Sequence, residues 1–419
     1  MEKAIIIGVN NDRPVEEYNE ELCELMSLCE ACEINVIDTI TQNLTSFNPQ
    51  TYIGTGKLEE IAELVEELKL DVLIFNDELK PLQINNIKEV VNCEIYDRTY
   101  VILEIFRRRA HTKEAILQVE IATLKYRLPQ LVGMHSNLSR QRGGDAGYAH
   151  TRGSGETKLE LDKRMIYDRI ATAKKELDEL TCLRQQQRTK RKKQQMKIVS
   201  LVGYTNSGKS STLNACLKHS VAVKKEVFEK DMLFATLETS TRLIKTSHNL
   251  QFLLTDTVGF ISKLPHQLIE AFKSTLEEIT ESDLIVHIVD SANPNFEKQV
   301  AITENVLKEI GVKDIPVIYA FNKTDLHSGY FFVPVKYEPA LRISATKGIN
   351  IDQLLEMIEE SLYQANHLVN FAIPFQDVQK MNLLRESAII IKSEQDENNF
   401  LVTAKVSDHI LELLKAYQK

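Results

Sequence analysis

The sequence predicts a multidomain α/β protein in four parts. A small parallel α/β domain covers 1–97 and a long helical hairpin 98–195. A second α/β domain covers 196–365 and a small α+β domain 366–419. Three observations support this division. At 419 residues the chain exceeds what one ordinary core accommodates. Two regions alternate short apolar runs with helical periodicity, the pattern of parallel sheets crossed by helices. Between them lies a basic stretch of helical periodicity, broken once by a cluster of glycines.

Composition narrows the class. Hydrophobic residues at 43% and charged residues at 26% describe a globular chain, not a disordered one. No run approaches the roughly 18 apolar residues of a membrane span. The opening "MEKAIIIGVNN" is too short an apolar run for a signal peptide and reads as a first strand. The protein is expected to be cytoplasmic and monomeric. Of six cysteines, only Cys29 and Cys32 make a C-x-x-C pair, in the helical "EELCELMSLCEAC". With no second pair at zinc spacing, a buried, reduced helix face is expected there rather than a metal or redox site.

The net charge of −9 hides an uneven distribution. Residues 98–197 hold 23 Lys/Arg against 11 Asp/Glu, a net +12, which leaves −21 on the rest of the chain. A basic middle between acidic flanks fits a segment that meets nucleic acid. A solvated hairpin rich in lysine fits the charge equally well.

Taken in order, "AIIIGVN" and "INVIDTI" flank a first helix, and "DVLIFND" and "CEIYDR" flank another at "PLQINNIKEVVN". The glycine-lysine stretch "YIGTGKLEEI" is a tight turn into a helix, and Lys57 is not placed in the active site. "RTYVILEIFRRRAHTKEAILQVEIATLKYRLP" predicts one long helix. Five glycines follow at Gly143, Gly144, Gly147, Gly153 and Gly155, predicting a mobile loop, and a second long helix starts at "ETKLELDKR". The final segment predicts strands at "AIIIKSE" and "FLVTAKV" and a last helix.

The chemistry lies after residue 196. Gly203 to Ser210, "GYTNSGKS", fits G-x-x-x-x-G-K-[ST] directly after a strand and opening a helix. In that template Gly203, Asn206, Ser207, Gly208, Lys209, Ser210 and Ser211 frame a phosphate cradle of backbone N–H groups. Lys209 is expected to reach the β- and γ-phosphates, and the Ser210 hydroxyl to ligate Mg2+. Downstream, Asp256 in "LLTDTVGF" is placed to hold Mg2+ through water, and the Gly259 N–H to contact the γ-phosphate. Thr236 in "LFATLETSTR" stands where a switch threonine completes the metal shell; a solvated loop hydroxyl is the alternative. "FNKTD" supplies Asn322, Lys323 and Asp325, and a carboxylate at Asp325 accepts the two adjacent donors of guanine that adenine lacks. Ser344 and Ala345 in "RISATKG" offer a backbone N–H to the guanine oxygen. Four such segments in order predict a P-loop GTPase domain, with GTP as substrate and GDP as product. Lys209, Thr236 and Gly259 are its expected catalytic groups. Where a small GTPase carries a water-orienting glutamine, this chain has Phe260, whose ring makes no such hydrogen bond.

Together "YIGTGKLEEI", "YDRTYVILEIFRRRAHTKEAILQVEIATLKYRLPQL", "TRGSGETKLELDKR" and the stretch from "GYTNSGKSSTLNACL" to "LLTDTVGFISKLPHQLIEAFKSTLEE" resemble the HflX GTPases, from about Ile53 to about Tyr363. The resemblance implies a ribosome-associated GTPase whose N-terminal domain and hairpin engage the large subunit and its rRNA. It also implies separation of ribosomal subunits and rescue of stalled ribosomes. An apolar residue at the place of Phe260 is usual in this family, which implies that hydrolysis needs help from a partner. Relatives with asparagine at the place of Asn206 recruit a monovalent cation, so K+ is a further expected cofactor. There are departures. The tip "GGDAGYAHTRGSGETKLE" is a few residues longer than the family's, with Ser154 for proline and Lys158 for glutamine, and "ATLETSTR" replaces A-T-L-D-P-T-T-R. The basic tip from Arg140 to Lys158 is expected to enter an RNA-lined site, with Tyr148 or His150 stacking on an unpaired base. The family places this tip near the peptidyl-transfer region, where its extra length is expected to affect antibiotic action. The competing function is an RNA-binding module that uses GTP as a switch without splitting ribosomes.

Overall fold

The computed structural model describes residues 2–141, 152–193, 196–220, 240–246, 250–263, 265, 268, 273–327, 329, 331–362, 367–396, 398–406 and 408–419. The chain divides into two compact units, 1–186 with 232–237 and 262–274, and 187–231 with 238–261 and 275–419.

In the first unit β1 (Lys3–Asn10), β2 (Asn35–Asn43), β3 (Val72–Phe75) and β4 (Glu94–Asp97) form an all-parallel sheet in the order β2-β1-β3-β4. Helices α1 (Val15–Ala31), α2 (Thr55–Leu68) and α3 (Pro81–Val90) are its crossovers. β1 is buried from Ala4 to Val9, as a strand covered on both faces must be. Ile5, Ile7 and Val9 pack with Leu58 and Ile61 of α2 and Ile84 and Ile87 of α3. On the opposite face Gly8 lies under Tyr18 of α1, where a Cβ would come within 2.2 Å of the phenol oxygen. Lys57 is engaged by Glu60 at 2.6 Å, one turn into α2. Cys29 and Cys32 are buried and free, and burial pushes both thiols up to about 12, as an inert helix face requires.

The expected single long helix is two helices, α4 (Arg98–Arg109) and α5 (Lys113–Gln141). The break has local causes. Three arginines in the last turn of α4 suit its C-terminal dipole, and Ala110 leaves helical geometry with ψ near 111°. Thr112 then caps the next helix, its Oγ1 accepting from the Ala115 N–H at 3.2 Å. Apolar spacing does not register so short an interruption. The other helix of the hairpin, α6 (Arg152–Lys193), begins earlier than expected and takes in Gly153 and Gly155. A cost of about 1 kcal/mol per helical glycine is tolerable in a helix of 42 residues. Residues 142–151, with Tyr148 and His150, lie outside the described residues. α5 and α6 run antiparallel: Leu117 and Ile121 pack on Ile170 and Ala173, and Arg169 grips Glu120 at 2.6 and 2.8 Å.

The second unit contains a six-stranded sheet ordered β10-β9-β8-β5-β7-β6. Its strands are β5 (Lys197–Val202), β6 (Ser240–Lys245), β7 (Gln251–Asp256), β8 (Leu284–Asp290), β9 (Val317–Asn322) and β10 (Ala340–Arg342). Only the β6–β7 pair is antiparallel. α7 (Lys209–His219) follows β5, and its Leu213 and Leu217 pack with Leu354 and Ile358 of the helix Ile351–Leu362. A second sheet is antiparallel, ordered β11-β13-β12, from β11 (His367–Pro374), β12 (Ile389–Gln395) and β13 (Asn399–Val406). The helix Asp408–Leu413 follows it. β11 and the helix Val378–Ser387 were absent from the sequence expectation, although Val369, Phe371 and Ile373 alternate inward as a half-buried strand should. Among the described residues no helix is long and apolar enough to cross a membrane.

Asp97 joins sheet and helices in the first unit. Its carboxylate accepts from the Leu79 and Tyr100 N–H groups at 3.0 and 2.8 Å and from the Tyr126 hydroxyl of α5 at 2.9 Å. Burial outweighs these bonds and pushes its pKa up to about 6. The folded state therefore binds the extra proton between the usual carboxylate value of about 4 and that pKa, so stability falls as pH rises through this window. Relative to Asp97→Asn, the wild-type unfolding free energy should drop by about 2 kcal/mol between pH 4 and pH 7, read from denaturant unfolding. A pH-independent difference would refute this.

Candidate active site

β5 lies between β7 and β8, so the turn after it opens at the C-terminal edge of a parallel sheet, where such folds bind ligands. The turn has no room for a side chain at either of its glycines. At Gly203, with φ of 151°, a Cβ would stand 2.3 Å from the Ile288 carbonyl oxygen. At Gly208, with φ of 95°, it would stand 2.1 Å from Asn322 Nδ2. Asn206 also has a left-handed φ, 58°, and is exposed at the loop's crown.

Lys209 opens α7 and is buried. Its ammonium donates to the carbonyls of Gly203 and Tyr204 at 3.1 and 2.8 Å. Burial pulls its pKa down to about 8, with Asp256 acting in the opposite direction. A phosphate beside it would restore the favoured charge. Thr205 Oγ1 and Ser207 Oγ are buried with no hydrogen-bond partner among the described residues, so the loop presents unsatisfied polar atoms alongside a buried cation. Ser210 Oγ donates to Asp256 Oδ2 at 2.6 Å. A half-buried hydroxyl in contact with a buried carboxylate offers the oxygen donors a hard divalent cation requires, and both fit Mg2+. Ser211 follows them on the first turn of α7.

Gly259 and Phe260 lie on this loop. The Phe260 N–H donates to the Gly203 carbonyl at 3.2 Å, and the Thr205 N–H donates to the Phe260 carbonyl at 2.7 Å. The Phe260 ring is buried at 1% exposure, so it has no access to a reacting water. Thr236 lies outside the described residues.

The remaining predicted residues meet around one amide. Asn322 Nδ2 donates to the Ser207 carbonyl at 2.9 Å, and its Oδ1 accepts from the Ala345 N–H at 3.0 Å. Ser344 Oγ donates to Asp325 Oδ1 at 2.6 Å, which orients an otherwise exposed carboxylate. Lys323, at φ 65°, pairs with Asp290 Oδ2 at 2.7 Å. The structure thus brings Gly203–Ser211, Asp256, Gly259, Asn322, Lys323, Asp325, Ser344 and Ala345 to one edge of the sheet. The Ala345 N–H expected to face a base oxygen is engaged by Asn322. Sequence reasoning missed Asp290 and Ser291, whose hydroxyl donates to the Asn322 carbonyl at 2.6 Å. It also missed His287, buried beside Lys209 and held neutral by burial and that charge, its pKa near 3. Asp290 and Ser291 were signalled only by a position at the end of an apolar strand, and His287 only as a lone polar residue within it.

Comparison with known proteins agrees with this layout. Residues 19–107 match the GTP-binding GTPase N-terminal family, 109–191 the GTP-binding GTPase middle region, and 198–323 the 50S ribosome-binding GTPase family. GTPase HflX of Caldanaerobacter subterraneus subsp. tengcongensis is 42% identical over 416 residues, 99% of this chain and 94% of that one. GTPase HflX of Escherichia coli is 35% identical over 354 residues, 82% and 79% of the two chains. Among solved structures, a GTP-binding protein of Sulfolobus solfataricus in complex with GDP aligns with a TM-score of 0.46 and 25% identity, over 87% of this chain and 99% of that one.

The loop geometry gives a direct stability test. Gly203→Ala meets a backbone carbonyl that no side-chain rotation relieves, at a φ that disfavours any Cβ. Thermal or denaturant unfolding should show a loss of about 2–4 kcal/mol. A loss below about 0.5 kcal/mol, the usual surface effect, would contradict the close approach.

Proposed function

We propose that this chain, which belongs to the HflX family of GTPases, binds the large ribosomal subunit and its rRNA and uses GTP hydrolysis there to separate or rescue stalled ribosomes. The observation that carries this reading is an assembled phosphate loop on the same chain as an antiparallel hairpin within a segment of net charge +12. The division into domains of 1–97, 98–195, 196–365 and 366–419 follows the same logic, each part having its own pattern.

At the site, backbone N–H groups from Gly203 to Ser211 and the Lys209 ammonium hold the phosphates, and the buried Thr205 and Ser207 hydroxyls gain acceptors. Ser210 and Asp256 hold Mg2+, with Thr236 completing the set. Bound there, Mg2+ neutralises charge on the phosphate oxygens. Gly259 presents its N–H to the terminal phosphate. Asp325, held by Ser344, reads the paired donors of guanine, while Asn322 and Lys323 fix the loops around it. Asn206, exposed on the loop, recruits K+. Phe260 orients no water, so turnover of the free protein is slow and the large subunit supplies the missing stimulation. The basic tip from Arg140 to Lys158 reaches the peptidyl-transfer region and alters antibiotic action there. The protein acts as a monomer in the cytoplasm.

Asp325→Asn should weaken GTP binding about 100-fold, the loss of a charge-assisted pair, and gain xanthosine triphosphate binding by nucleotide titration. Unchanged preference for guanine would exclude this role. Large subunits should raise GTP turnover by up to about 10³–10⁵ over the free protein, in a salt-sensitive manner. Deleting Asp145 to Arg152 should remove most of that increase. Full stimulation of the deletion variant would make the tip a linker, and no stimulation of the wild type would favour the RNA-binding alternative.

A further inference from the structure

Asp325 stands on a short turn, Thr324–Leu326, within the second unit. A single turn of 3₁₀ type has poor hydrogen-bond geometry of its own, so its shape depends on what its side chains grip. The grips fall into two sets. Toward the segment after β10, the Thr324 N–H and hydroxyl donate to the Ile343 carbonyl at 3.2 and 2.8 Å, and Ser344 holds Asp325. Toward the end of β8, Lys323 pairs with Asp290 at 2.7 Å, and His327 Nε2 lies 3.0 Å from Ser291 Oγ.

The proton positions in the second set follow from the donors available. Ser291 is 3% exposed, and its hydroxyl gives its one proton to the Asn322 carbonyl at 2.6 Å. The Ser291 N–H donates to the same carbonyl at 3.0 Å. Ser291 Oγ is left only to accept, so Nε2 of His327 carries a proton and donates it. Stacking orients that ring: its centroid lies 4.9 Å from that of Phe331 at 26°, and Phe331 packs on Phe321 at 5.5 Å and on Phe296 at 5.6 Å. One buried hydroxyl therefore clasps both ends of the segment 322–327, at the Asn322 carbonyl and at the His327 ring. Asp325 lies between these ends. Ser291 and His327 belong to none of the nucleotide-binding segments read from the sequence.

We propose that Ser291 and His327 are positioning residues for base specificity: their clasp holds the Asp325 carboxylate where both of its oxygens meet guanine. The proposal rests on the guanine-reading role of Asp325 given above. Guanine offers two adjacent donors, a ring N–H and an amine, whereas hypoxanthine offers the ring N–H alone. A carboxylate that drifts loses the paired contact and keeps a single one more readily. Discrimination between the two bases thus reports where Asp325 is held, while the phosphate contacts are common to both nucleotides.

The test uses the full chain, titrated with GDP and with inosine diphosphate in the presence of Mg2+. Ser291→Ala and His327→Leu should each weaken GDP about five- to tenfold and move inosine diphosphate by less than about twofold. His327→Gln, whose amide can donate from near the place of Nε2, should retain the wild-type ratio. The double variant Ser291→Ala with His327→Leu should lose little more than either single variant, because both break one clasp. A site that is merely destabilised weakens both nucleotides in parallel; that outcome, or an unmoved ratio, overturns the proposal. Should Ser291→Ala not fold, His327→Leu, at a half-buried position, decides alone. Asp325→Asn is the reference and should abolish the preference for GDP over inosine diphosphate. If it keeps that preference, the base-reading assignment fails and the proposal with it. If it abolishes the preference while Ser291→Ala and His327→Leu leave it intact, the positioning role alone is refuted.

Discussion

The Asn322 side chain is the interaction on which the site depends. One amide donates to the Ser207 carbonyl of the phosphate loop and accepts from the Ala345 N–H of the loop after β10. Three segments separated along the chain are thereby fixed to one another at the ends of parallel strands of one sheet. The amide also explains Gly208, since any larger residue would strike Asn322 Nδ2. Position, glycine and asparagine form one constraint, and none of the three is replaceable without the others.

A second constraint is electrostatic. Lys209 is buried against carbonyl dipoles, and burial pulls its pKa well below the usual lysine value. Buried cations are costly unless an anion compensates them, and Thr205 and Ser207 add buried hydroxyls with no partner among the described residues. The site therefore stores a deficit that phosphate relieves, and nucleotide binding stabilises this unit by mass action. The first unit shows the opposite solution. Arg98 is as buried as Lys209 but is compensated by Glu24 and Asn76.

Much of this is legible in the sequence. Apolar runs such as "AIIIGV" and "LIVHIV" betray strands covered on both faces, because parallel sheets bury both. The loop residues could be named because close backbone approach to phosphate restricts them to glycine, lysine and hydroxyls in a fixed spacing. What was not legible was either a single local contact that periodicity does not register or a cluster assembled from distant residues. The interruption at Ala110 to Thr112 rests on one capping hydroxyl inside an unbroken helical pattern. Gly153 and Gly155 read as helix breakers, yet a long helix continues through them. The cluster around Arg98 draws on Glu21, Glu24, Asp77 and Lys263, which share no motif and meet only through the fold.

Engagement of the large ribosomal subunit should follow the state of one guanine-nucleotide site. Co-sedimentation of purified large subunits with wild type and Lys209→Ala, each with the non-hydrolysable GTP analogue or with GDP, tests it most directly. The wild type should pellet with subunits in the analogue and largely remain in the supernatant with GDP, while Lys209→Ala should show no nucleotide dependence. Equal pelleting of both proteins under both nucleotides would contradict the account.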